Sequence, residues 1–228
     1  MHAMQNPTLA ALAAVAAVAS ACAAAAQTSS LAPDEIVIYV HTEMKNTDFV
    51  EGLVCELGRV LVAPVRATTI DLPLLTSYLA TRTQLDVDKV AQPFAAATAG
   101  EGRVFRYLLL PSDLKAEGLN YVFSSTQPDG EPVAVMSNIR LTPTDRNLSR
   151  KRVSDITADR LYKLMLKSIA FLSGLRTNGC IMNFPRNLPE LDLKAAEFCD
   201  GDRASLVAAG VLKEKPFGAC ANVAMVLQ

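Results

Sequence analysis

The stretch from 155 to 174 constrains the fold more than any other. Its apolar residues include Leu161, Leu164, Met165, Ile169, Phe171 and Leu172, and they nearly encircle a helix instead of forming one stripe. A helix apolar on most sides has to be packed on most sides, so it is central to whatever the chain builds. Asp155 or Thr157 can cap its start, and Gly174 offers the left-handed residue that ends it.

The surroundings of that helix are legible upstream. The run 35–44 (EIVIYVHTEM) is mostly apolar, lies between Pro33 and Asn46, and reads as a buried strand. Over 48–61, Phe49, Val50, Leu53, Val54, Leu57, Val60 and Leu61 recur at helical spacing behind Thr47 or Asp48 as cap. A second strand follows at 64–72. Strand, helix, strand in that order implies a right-handed crossover and parallel pairing. A helix over 86–97, kinked or shortened by Pro93, and a third strand over 103–110 continue the alternation. Residues 73–84 fit no element clearly. Two β-rich runs within 119–141 flank the Pro-Asp-Gly at 128–130 and read as an antiparallel hairpin. The polar 142–155 reads as a surface loop, and 189–199 and 202–212 as two tail helices. The predicted fold is therefore one α/β domain. It has a mixed, mostly parallel sheet with an antiparallel hairpin and edge strand, a central helix and a helical C-terminal tail.

Scarcity bounds the chemistry. The 228 residues contain two histidines, His2 and His41. A folded domain with His41 alone cannot build HExxH zinc-protease sites or His-rich metal sites, which need two or three imidazoles. His41 and Glu43 share a strand face, where a hydrogen-bonded strand-end histidine is the simpler reading than a metal site. A formal charge of −1 and the absence of Trp argue against nucleic acid or an anionic membrane surface as partner.

The first 26 residues stand apart. Their alanine-rich run with a few Leu and Val residues reads as a secretory signal peptide ending at Ala26. Residues 27–35 follow as a short linker and 36–228 as the domain. "ASAC" also resembles a bacterial lipobox, so lipidation at Cys22 is a second route of export. Without Cys22, four cysteines remain: Cys55, Cys180, Cys199 and Cys220. An even count in an exported chain favours two disulfides, with three connectivities open.

Four blocks in order carry a family resemblance: TRTQLDVDKVAQPF (81–94), GLNYVFSST (118–126), AVMSNIRL (134–141) and CIMNFPRNLPELDLKAAEFC (180–199). With them the chain resembles the archaemetzincins, metzincin-type zinc proteases, over roughly residues 36–202. Aligned on Gly174, the family's H-E-x-x-H-x-x-G-x-x-H falls on Lys167, Ser168, Phe171, Gly174 and Thr177, where only the glycine matches. The resemblance thus implies a metzincin-like helix without its zinc ligands or catalytic glutamate, and no cofactor. Met182 takes the position of the metzincin Met-turn. In the family's four-cysteine zinc pattern Cys180 and Cys199 match the second and third ligands, while Asp202 stands at the fourth. The resemblance implies that these two cysteines lie close together and form a Cys180–Cys199 disulfide in place of the metal, leaving Cys55 to Cys220.

The functional expectation is an exported, catalytically inactive archaemetzincin-like pseudoprotease of the periplasm or cell envelope. Its partner would be a peptide or an envelope protein, received along an edge strand at Val133, Ala134, Val135, Met136 and Ser137. Contact with a membrane would come only through a lipid at Cys22. A hydrolase of non-zinc chemistry and a structural envelope lipoprotein are the alternatives. Lys167 and Ser168 are adjacent, and neighbours on a helix do not face each other, which argues against a Ser-Lys nucleophile.

Overall fold

The structure, a computed structural model, describes residues 32–127 and 130–216. Strand β1 (Glu35–His41) lies between β2 (Val65–Ile70) and β4 (Val104–Leu110), parallel to both. Strand β7 (Val133–Ser137) adds in parallel to β4, and β6 (Ser124–Gln127) closes the sheet antiparallel to β7. The order is β2-β1-β4-β7-β6. A small second sheet pairs β3 (Gln84–Asp86) with β5 (Asp113–Lys115), which gives part of the unplaced stretch a role. The chain is thus a single α/β domain with a mostly parallel, mixed sheet, as its strand and helix order predicts.

Alternation along the strands divides the core in two. Ile36, Ile38, Val40, Phe105, Tyr107, Leu109, Ala134 and Met136 face α1 (Asp48–Val60) and α3 (Arg150–Leu172). Leu108, Leu110, Val133 and Val135 face α2 (Val87–Thr98). Parallel strands covered by helices on both faces are expected to be mostly apolar, and β1, β4 and β7 are, apart from residues at their ends and Arg106, which is buried in β4 and paired with Glu131. Helix α2 runs through Pro93 without ending. The carbonyl that loses its donor there belongs to exposed Lys89, so solvent can satisfy it, and Asp86 caps the helix by accepting from the Asp88 and Lys89 amides.

Three expectations change. The loop predicted over 142–155 is partly helix: α3 starts at Arg150, and Ser149, not Asp155 or Thr157, caps it by accepting from the Arg152 amide at 3.2 Å. Those first turns are polar because they project past the core, where Arg150 pairs with Asp48 at 2.9 Å. The tail helices are shorter than predicted, α4 at Leu188–Leu193 and α5 at Asp200–Ala208. The third change concerns the sheet edge. Val133, Ala134, Val135, Met136 and Ser137 are all buried in β7 between β4 and β6, so the edge is β6. A buried apolar strand is a poor edge and a good interior one. The proposed turn residues Pro128 and Asp129 lie outside the described residues, as do the N-terminal segment with Cys22 and the Cys220 end of the Cys55–Cys220 pairing.

Gly174 ends α3 as predicted. At a φ of 91° it is left-handed, Leu175 N–H donates to the Ala170 carbonyl, and Gly174 N–H donates to Phe171. Those two bonds form a Schellman motif. The chain then turns back under the helix, because Cys180 and Cys199 form a disulfide with Cα atoms 5.5 Å apart. Gly179 permits this close approach, since a Cβ there would lie 3.2 Å from the Cys199 sulfur.

Candidate functional site

Helix α3 and edge strand β6 bound a cleft of about 300 Å³. The helix contributes Leu164, Lys167, Ser168 and Phe171; the strand contributes Ser124, Ser125 and Thr126. Phe184 and Pro185 form a third wall, delivered by the chain that leaves the 3₁₀ turn at Cys180–Met182. The cleft therefore exists because the disulfide-tied turn folds back beside the helix end. Its lining is mostly apolar, and Lys167 is its one charged member among the described residues.

Of the five motif positions predicted on α3, the structure brings three together here: Lys167, Ser168 and Phe171. Gly174 lies beyond the helix end. Thr177 points elsewhere, donating its hydroxyl to Asp202 at 2.9 Å. Met182 is buried in the core beside α3 and does not line the cleft.

Three groups set the electrostatics. The Lys167 ammonium sits over the Phe184 ring, 5.0 Å from its centre, and partial burial lowers its pKa. Ser168 is buried, with its hydroxyl 2.8 Å from that of Thr126, so helix and edge strand are tied at the cleft floor. Beneath them the Tyr107 hydroxyl is buried without a hydrogen-bond partner. Burial pushes its pKa up, and Ser168 beside it offsets only part of that. Such a phenol stays neutral and cannot act as a base at ordinary pH.

Just outside the cleft, Lys194 donates to the Ile181 carbonyl at 2.8 Å and to that of Asn183, bracing the turn that carries Phe184. Burial first, then the charges of Lys167 and Lys163, lower its pKa to about 8. The sequence pattern missed Lys194, Phe184 and the polar edge Ser124–Gln127. The last had a signal, since Ser-Ser-Thr-Gln carries no apolar face to bury and suits an outer strand. His41, the other residue of chemical interest, is buried; its Nε2–H donates to the Leu72 carbonyl at 2.8 Å and its Nδ1 accepts from Glu43 N–H. Both ring nitrogens are occupied, so it is structural.

A mostly parallel sheet, a long helix ending in a left-handed glycine, a tight turn beneath it and a cleft along an antiparallel edge strand define an α/β protein with a groove beside its sheet edge. The comparisons specify the kind: the chain is archaemetzincin-like. It is 28% identical over 138 residues to an archaemetzincin of Halobacterium salinarum, a match spanning 59% of this chain and 78% of that one. An archaemetzincin of Natronomonas pharaonis is 30% identical over 91 residues, although the match spans only 53% of that relative's length. Among solved structures, the Archaeoglobus fulgidus archaemetzincin complexed with malonate superposes with a TM-score of 0.57 at 25% identity, covering 74% of this chain and 98% of that one. A zinc-dependent peptidase from Methanocorpusculum labreanum shares the fold, with a TM-score of 0.63 at 24% identity, over 75% of this chain and 99% of the other. No family model matches the chain.

Proposed function

We propose that this protein is an exported, archaemetzincin-like peptide-binding protein that does not hydrolyse what it binds. The observation that carries the reading is the chemistry of the side chains at the cleft. Zinc is the group that the relatives' names imply, and the residues here do not fit it. Catalytic zinc needs neutral nitrogen, thiolate or carboxylate donors converging with one position open. The helix instead presents an ammonium at Lys167, a hydroxyl at Ser168 that is engaged by Thr126, and a phenyl ring at Phe171. His41 has both nitrogens occupied, and Cys180 and Cys199 are joined to each other. No hydrolytic step can be routed through a metal held by these groups.

Peptide binding is supported by what is present. Strand β6 pairs with β7 on one side only, so its other edge offers backbone donors and acceptors to an extended segment. Beside it Phe171, Phe184 and Leu119 give an apolar surface, with Phe184 60% and Leu119 44% exposed. Export is supported by the Cys180–Cys199 disulfide, which belongs to oxidising compartments, and by the signal-like first 26 residues. The partner would be a peptide or an envelope protein with an accessible extended segment.

The test combines metal analysis of the purified protein with binding and cleavage measurements on a mixed peptide library. Retention of intact peptides without bound zinc is expected. Stoichiometric zinc together with peptide cleavage would overturn the proposal.

A further inference from the structure

We propose that the cleft selects the free C-terminal carboxylate of an extended peptide, with Lys167 as its counter-charge and the terminal apolar side chain packed between Phe171 and Phe184. The inference rests on the peptide-binding reading above and specifies its ligand.

Charge is unbalanced near the end of α3. Three lysines converge near the end of α3, and two of them are satisfied. Lys163 pairs with Asp159 at 2.8 Å and donates to the Leu191 and Asp192 carbonyls; Lys194 donates to the Ile181 and Asn183 carbonyls. Lys167 has an aromatic face beneath it and no acidic partner among the described residues. A half-buried cation in an apolar cleft is costly unless something pairs with it, and the neighbouring Lys194 ammonium, close enough to feel the charge of Lys167, adds positive charge there.

The shape of the site narrows the anion. Free phosphate or a small dicarboxylate would leave the exposed Phe184 and Leu119 uncovered. An internal acidic side chain would have to bring a continuing backbone through a cleft whose volume, about 300 Å³, lies at the small end for ligand sites. A chain terminus supplies three things in one residue: a carboxylate for Lys167, a side chain for the phenyl walls, and an extended backbone arriving along the β6 edge. Ser124 lies on the same strand face as Thr126, which bonds Ser168, so its hydroxyl can donate to the second carboxylate oxygen.

The experiment measures binding of one fluorescent peptide ending in leucine, prepared as the free acid and as the C-terminal amide. A third peptide carries an internal glutamate and an amidated end. The acid should bind roughly tenfold or more tightly than the amide, as removing one partner of a partly desolvated charge pair implies. Lys167→Met should erase that ratio and Lys167→Arg should keep it, with thermal melts confirming that both variants are folded. Equal affinity for acid and amide overturns the inference while leaving peptide binding in place. A ratio that survives Lys167→Met, or an internal glutamate that binds as well as the free terminus, also overturns it. If no peptide binds, the broader reading fails and this one with it.

Discussion

Two consecutive stretches of α3 use the same residue types for opposite ends. In its middle, Arg160 is buried and fully engaged, bidentate to Asp192 at 2.6 and 2.7 Å and donating to the Leu141 carbonyl at 2.6 Å. Lys163, one turn later, is equally buried and equally engaged. One further turn on, Lys167 is half-buried and has no acid beside it. The first two cations join α3 to α4 and to the exit of the hairpin; the third faces an open cleft. A cation with every donor used is architecture, and one with donors to spare beside a concave apolar surface is available for recognition.

Breaking the brace under the cleft should have the largest effect. The disulfide closes a loop of 19 residues and holds the turn that delivers Phe184. Replacing Cys180 and Cys199 together by serine should lower stability by about 3 kcal/mol in chemical denaturation. Because the cleft wall hangs from that turn, peptide affinity should fall as well.

Next in size is the middle of the helix. Asp192→Asn leaves the Arg160 guanidinium buried with a neutral partner, and should cost about 2 kcal/mol, a value moderated by the exposed side of Asp192. The Arg160 guanidinium holds the Asp192 carboxyl below its usual range. Its folded pKa is depressed, so the stability from this pair is present above the unfolded carboxylate pKa and is lost as pH falls through the folded one. Acid titration of the wild type and of Asp192→Asn should therefore converge at low pH.

The lysine pair sharpens the contrast directly. Lys163→Met removes an ion pair and two carbonyl contacts and should destabilise by about 1 kcal/mol; Lys167→Met removes a partly desolvated, unpaired charge and should be neutral or slightly stabilising. If both variants lost stability equally, Lys167 would be structural like its neighbour.

The helix itself was plain in the sequence, because residues such as Leu161, Met165 and Ile169 surround it and Gly174 stops it. The strands β1, β2 and β4 followed from apolar runs alternating with one amphipathic helix. What could not be read was tertiary in origin. The choice of β6 over β7 as the sheet edge is made by pairing with β4, and the polar Ser124–Gln127 run is its one trace in the sequence. The start of α3 was obscured because its first turns are polar, stabilised by Ser149 and Asp48 and not by burial. In the site, Lys167, Ser168 and Phe171 were found by alignment to a motif. Lys194 and Phe184 were not, since their proximity to Lys167 arises only after the Cys180–Cys199 turn folds back.

The smallest effect is the most specific to the cleft. Lys194 titrates at about 8 because burial, and then the charges of Lys167 and Lys163, disfavour its ammonium. In the unfolded chain the same group titrates near 10.5. Between those values the unfolded state holds more protons, so this lysine makes stability rise with pH from about 8 towards 10.5, while below about 8 its penalty is constant. Lys167→Met removes one of the repelling charges. It should move the Lys194 titration upward, as read by NMR of the side-chain resonances, and flatten the alkaline rise in stability. A bound terminal carboxylate should shift Lys194 in the same direction, because it neutralises the same charge. An unchanged Lys194 titration in the variant would show that the two ammonium groups do not sense each other, and the positive field that marks the cleft off from the middle of the helix would be absent.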